Sequence, residues 1–281
     1  MGRWLTRAVG VLAAAFLLSG QGRADERALQ MEALFQALDI AGITQVMRDE
    51  GLIYGAQIAD DLMPDADQMV WGRTVSEVYT TTRMMGLVEQ VMRDALRDTD
   101  LTPLVAFYTS PTGQRITALE LSARRAFMDE TIEAEAQEAA RASESLTKGP
   151  RADLRAQVLR IMQDSDLVEM NVMGALNANL MFLRGLVDGR VSDLGSEDIL
   201  RDVWAQEDAT RADTRDWLIG FLMLAYTPLD ADELDAYAAL WRTPEGRDLN
   251  RALFVGFNDM YDQLSYLLAR AAAAHMQSAP L

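Results

Sequence analysis

The chain has no cysteine, one histidine and, among its basic residues, one lysine, Lys148. Without cysteine there is no thiolate nucleophile, no thiolate zinc site, no disulfide and no acylation site for a lipoprotein anchor. A single histidine excludes multi-histidine metal centres and all but excludes serine hydrolysis through a histidine base. That residue, His275, stands in "AAAAHMQSAPL" near the C-terminus, which reads as a fraying end. No G-x-S-x-G turn and no Gly-rich phosphate loop is present. Alternation of apolar and polar residues never persists beyond a few positions, so strands are not expected. The longest uncharged apolar runs after the N-terminus, Val172 to Leu183 and Trp217 to Leu229, fall short of the roughly 20 residues that span a bilayer, and read as buried helices.

What is present at the N-terminus reads as a secretory signal peptide over 1–24. Arg3 and Arg7 form a basic start, Ala8 to Leu18 an apolar stretch, and Gly22-Arg23-Ala24 a small-x-small cleavage site. The dominance of arginine over lysine, beside abundant Ala, Asp and Gly, points to a GC-rich bacterial genome, and hence to the periplasm as destination. Cleavage after Ala24 would remove Arg3, Arg7 and Arg23 and shift the formal charge from −17 to −20. So acidic a chain repels phosphate backbones and anionic lipid, so neither nucleic acid nor a membrane surface is expected as partner. Most of the acids read as a solvated surface that keeps an exported protein soluble.

The remaining chain carries a repeat. "TDLTPLVAFYTSPTGQRI" from Thr99 aligns without gaps on "DELDAYAALWRTPEGRDL" from Asp232, an offset of 133 residues. Leu101, Leu104, Val105 and Tyr108 in the first copy, and Leu234, Tyr237, Ala238 and Trp241 in the second, mark one helix face each. The corners Ser110-Pro111-Thr112-Gly113 and Thr243-Pro244-Glu245-Gly246 follow. A hydroxyl there can cap a new helix, and proline fits its first position because it has no N–H to leave unsatisfied. Proline also drives Ser110 and Thr243 out of helical geometry. Gly113 and Gly246, third in their helices, cost propensity and imply a close backbone or large ring, with Tyr108 and Trp241 as candidates. Asp230 with Glu233 forms a capping-box pattern, while Asp98 or Thr99 would cap the first copy. From Glu133 to Glu144 only alanine is apolar, which predicts a solvated helix or a frayed arm. Gly149-Pro150 after Lys148 sets a module boundary. A weaker match links Leu29–Met63 with Leu154–Val187. The expected fold is all-α: two consecutive helical-hairpin repeat modules, 25–148 and 149–281, of about four or five helices each, packed as a helical bundle.

The acid-rich cap, the short helix ending in Phe-Tyr and the Ser-Pro-x-Gly corner before a long helix resemble the family of exported bacterial proteins called domain of unknown function 2059. "FYTSPTG", Phe107 to Gly113, carries the resemblance, and "LWRTPEG", Leu240 to Gly246, is a diverged second copy. The resemblance implies a helical fold and an envelope location, and brings no catalytic residues. Tyr108, Ser110, Pro111, Gly113, Trp241, Thr243, Pro244 and Gly246 are therefore structural corner residues first, with a binding notch lined by Tyr108 or Trp241 as the functional alternative.

Other clusters have plain readings. Asp60, Asp61, Asp65 and Asp67 around Pro64 could offer oxygen ligands to calcium, yet match no EF-hand spacing and read as a capping turn. Met170 and Met173 could be soft ligands for Cu(I), but apolar neighbours favour buried packing. No catalytic residue, cofactor or metal is therefore assigned. The expected function is a non-enzymatic periplasmic binding or protein-interaction module with an envelope protein as partner. A carboxylate-dependent hydrolase or lyase and a carrier of a small apolar ligand stay open as alternatives.

Overall fold

The computed structural model describes residues 25–65 and 67–278; the stretch 1–24, read above as a signal peptide, lies outside them. Among the described residues all regular structure is helical. Helix α1 covers 25–37. It is followed by α2 (Ile40–Leu62), α3 (Gln68–Val78), α4 (Thr81–Ala95), α5 (Thr102–Tyr108), α6 (Pro111–Ala126) and α7 (Glu130–Ala142). After a 3₁₀ turn come α8 (Pro150–Asp164), α9 (Leu167–Asp188), α10 (Ser196–Trp204), α11 (Glu207–Tyr226), α12 (Ala231–Arg242) and α13 (Pro244–Ser278). More helices lie on each side of Gly149 than the four or five expected, because short ones such as the nine-residue α10 leave little periodicity to read.

The two Pro-Gly corners share one set of hydrogen bonds. Ser110 Oγ accepts from the Gly113 N–H at 3.1 Å and donates to the Phe107 carbonyl at 2.6 Å. Thr243 Oγ1 accepts from the Gly246 N–H at 2.9 Å and donates to the Leu240 carbonyl at 2.7 Å. One hydroxyl thus closes the start of one helix and an open carbonyl at the end of the helix before it. An ionised aspartate, an equally good cap elsewhere, could not donate the second bond. A Cβ on Gly113 would lie 2.2 Å from the Phe107 carbonyl oxygen, and one on Gly246 2.0 Å from that of Leu240. The close neighbour that demands glycine is therefore the preceding helix's backbone, and not the ring of Tyr108 or Trp241.

Local signals set most other joints. Asp230 and Glu233 make the reciprocal capping box. In the first copy Asp100, rather than Asp98 or Thr99, accepts from the Thr102 N–H at 2.9 Å, and Thr99 donates instead to Asp248 at 3.0 Å. Asp67 caps α3 through the Met69 and Val70 N–H groups. Asp39 (φ 51°) and Asp166 (φ 52°) both occupy the left-handed region, which aspartate tolerates better than most residues. They turn α1 into α2 and α8 into α9.

Tertiary packing crosses the chain's midpoint. The long α13 lies along α9 and also against α4, while α6 and α7 pack on α11. One hydrophobic cluster runs through both halves, from Leu34, Trp71, Met84, Val88 and Leu104 to Tyr226, Leu249, Met260 and Leu268. A satellite of Val172, Leu176, Ile199 and Val203 joins α9 to α10. Arg115 ties the halves at the surface, donating to both carboxylate oxygens of Glu233 at 2.9 and 2.8 Å.

One open expectation is decided and two are corrected. Residues 130–142 form the solvated helix rather than the frayed arm: α7 is mostly exposed, with Ala140 buried and Gln137 lying against Gly220 of α11, where an added Cβ would come within 3.2 Å of it. His275 is not on a frayed end, since α13 carries it to Trp71 in an edge-to-face contact at 5.2 Å and within 3.2 Å of Thr74 Oγ1. Met173 is 43% exposed, so it does not pack in the core beside its apolar neighbours.

Candidate functional site: an aromatic cleft shared by both halves

A cleft of about 410 Å³ opens where α6, α11, α12 and α13 meet the α1–α2 and α8–α9 turns. Residues 133 apart line it in pairs: Tyr108 and Trp241, Thr117 and Asn250, Glu120 and Leu253, Leu121 and Phe254, Arg124 and Phe257. The first half therefore supplies charged groups where the second supplies apolar ones. The corner aromatics Tyr108 and Trp241 form part of the wall. Two other hollows, of about 530 and 460 Å³, are larger; neither pairs residues of the two copies in this way, and the second gathers Glu50, Tyr54, Tyr79 and Tyr261. The second of them borders the cleft through Met47 and Tyr261.

Helix α6 places Glu120 and Arg124 on one face, four residues apart. Glu120 accepts two hydrogen bonds on the same oxygen, Oε1, from Tyr226 at 2.5 Å and Tyr237 at 2.9 Å. Among the described residues no protein donor bonds Oε2 and no arginine or lysine pairs with the carboxylate. The side chain is only partly buried and keeps an accessible edge. Desolvation by the surrounding rings raises the Glu120 pKa, with the two tyrosine hydrogen bonds opposing that rise. Tyr226 and Tyr237 are themselves pushed well above the usual phenol value, first by burial and then by the charge on Glu120.

Arg124 is arranged differently. Its Nε and Nη2 donate to the two carboxylate oxygens of Glu50 at 2.9 and 2.8 Å, and Nη2 also donates to the Tyr261 hydroxyl at 3.1 Å. This forked pairing neutralises both charges locally and fixes α6 to α2 and α13. The cleft is thus left with one net negative group, Glu120.

Aromatic packing makes the walls stiff. Tyr237 stacks on Phe107 at 6.0 Å and meets Trp241 at 5.3 Å and Tyr226 at 6.0 Å. Trp217 and Phe221 stack at 5.0 Å, both edge-on to Phe127. Ser165, in the α8–α9 turn, lines the cleft at 4% exposure, and its Oγ has no hydrogen-bond partner.

Among the described residues no three His, Asp or Glu side chains converge as a metal site, and Asp60, Asp61 and Asp65 stay at the exposed end of α2 and the turn after it. Glu120, Arg124 and Tyr226 were not singled out from the sequence, and Tyr237 only as part of an apolar helix face. A signal for two of them was there: the apolar stripe Leu249, Leu253, Phe257 of the second copy becomes Ile116, Glu120, Arg124 in the first.

Glu120 and Arg124 both stand in a stretch, residues 82–142, that matches the family described as "Uncharacterized protein conserved in bacteria (DUF2059)". The match covers 61 of the 281 residues. It runs from α4 through α7, and so includes the first corner and the charged face of α6. The second corner, at Thr243 to Gly246, lies beyond the DUF2059 match. No curated protein and no solved structure matches the chain. No helix among the described residues is long and apolar enough to cross a membrane.

Proposed function

We propose that this protein is a non-catalytic binding protein of the bacterial envelope, which holds a small, largely apolar ligand in the cleft between its two halves. One observation carries the proposal: an aromatic cleft of about 410 Å³ with a few convergent polar groups, the composition of a small-molecule site. Its volume falls within the roughly 300–1,000 Å³ usual for such sites. Glu50 is already neutralised by Arg124, and Glu120 is held by two phenols that titrate far above neutral pH. Such an arrangement orients a ligand better than it exchanges protons with one. The matching corners, the two left-handed aspartates and the paired cleft positions support an internal duplication, in which the first half now carries charges where the second carries apolar side chains. The signal-peptide pattern supports export to the periplasm.

The test is titration with N-phenyl-1-naphthylamine, a neutral apolar dye that fluoresces in dry pockets. One saturable site is expected, with energy transfer from Trp217 and Trp241. A linear response without saturation, together with a bare chain in native mass spectrometry of the protein isolated from its own envelope, would sink the proposal.

A further inference from the structure

The cleft's charge says what kind of ligand it takes. Arg124 spends its charge on Glu50 through two hydrogen bonds, so it cannot also balance Glu120. Glu120 then sits among aromatic rings with no cation beside it, its Oε1 saturated by two hydroxyls and its Oε2 unbonded at an accessible edge. A carboxylate surrounded by rings costs desolvation free energy that only a counter-charge recovers well. Aromatic rings also favour a cation, since the faces of Trp and Tyr present negative charge density, and Trp217, Trp241 and Tyr108 line the cleft together with Glu120. Ser165 adds to the cleft's lining a buried hydroxyl without a hydrogen-bond partner. The net charge of −17 raises the local concentration of positive solutes.

Building on the binding function above, we infer that the cleft selects an organic cation, an ammonium group on an apolar or aromatic body, with Glu120 Oε2 as its counter-charge and the ring faces around its carbon frame. Glu120 is the specificity-determining residue. Its counterpart 133 residues on, Leu253, contributes only apolar wall, so the ligand has one charged end and one apolar end.

The experiment displaces bound N-phenyl-1-naphthylamine with three compounds of one shape at pH 7.5: 4-phenylbutylamine, 4-phenylbutanol and 4-phenylbutyrate. The amine is expected to act at a concentration on the order of tenfold or more below the other two. Glu120→Gln should bring the amine level with the alcohol, abolishing the amine's advantage of roughly tenfold. Glu120→Leu, which copies the residue at 253, serves if the glutamine variant does not fold. The wild-type ranking decides the matter even without a variant. If the dye binds but the alcohol or the carboxylate displaces it as well as the amine, the cation inference is overturned and the binding cleft stands. An amine preference that survives loss of the Glu120 carboxylate overturns Glu120 as counter-charge. Failure of the wild-type protein to bind the dye removes the cleft and the cation together.

Discussion

Replacing Gly113 by alanine separates tertiary geometry from local propensity, because the two predict opposite signs. In a helix interior, alanine is favoured over glycine by about 1 kcal/mol. At Gly113 the added Cβ would stand 2.2 Å from the Phe107 carbonyl oxygen and 2.7 Å from the Tyr108 Cα. Both are backbone atoms of the preceding helix, so no side chain can swing aside. The corner must open, which strains packing by roughly 1–3 kcal/mol and stretches a cap worth about 1 kcal/mol. After the propensity gain, a net loss of about 1–3 kcal/mol remains, a melting point lower by roughly 2–10 °C for a chain of this size. Gly246→Ala should behave alike, its Cβ falling 2.0 Å from the Leu240 carbonyl oxygen. The control is Gly86→Ala in the exposed face of α4, where nothing lies within 4 Å of the added carbon. That variant should melt about 1–4 °C above wild type. Far-ultraviolet circular dichroism, followed through heat and urea unfolding, reads all three. If Gly113→Ala matches or exceeds wild type in both scans, the close approach of the two helices is not a constraint and the account of the corner fails.

The remaining predictions concern the cleft. Glu120 has a folded-state pKa above its ordinary value of 4.5, with burial the main cause, so folding disfavours its ionised form. Its contribution to stability is therefore best below the ordinary carboxylate range and is lost as pH rises through the raised value. Glu120→Gln should accordingly gain on wild type between pH 4.5 and pH 8, measured as the difference between the two urea midpoints; a difference that stays flat with pH would refute the desolvation argument. Arg124→Met should cost about 1–2 kcal/mol by leaving Glu50 unpaired at 32% side-chain exposure, too wet for the full penalty of a buried charge. The double variant Glu50→Gln/Arg124→Met should recover part of that loss in the same assay, and strictly additive costs would show that the pair does not act as a unit.

Much of the helical structure was legible because its causes are local. Ser110, Pro111, Thr243, Pro244, Asp230 and Glu233 act within a turn of their own position, through caps and fixed dihedrals that need no distant partner. The corner hydroxyls' second role, donating to a carbonyl three residues back, is also local and was missed only because capping rules ask what a hydroxyl accepts. The reason for Gly113 was half-visible: closeness could be read from the cost of glycine, but whether a ring or a backbone came close depends on the angle between two helices.

The site was less legible, for a reason specific to helices. Glu120, Tyr226 and Tyr237 lie on three different elements, 106 and 117 residues apart along the chain, and a 3.6-residue period says which side of a helix is buried but not which helix faces it. An acid on the inner side of α6 looks like any solvated acid in a chain this rich in them. By itself the sequence determined an all-helical chain, its acidic charge and two corners of one pattern, since composition, short-range hydrogen bonding and apolar spacing decide those. Only the tertiary structure decided that α7 docks on α11, that α13 brings His275 back to Trp71, and that the two halves meet around one unbalanced carboxylate. Those outcomes depend on which apolar faces find each other across more than a hundred residues, and many pairings would bury similar areas.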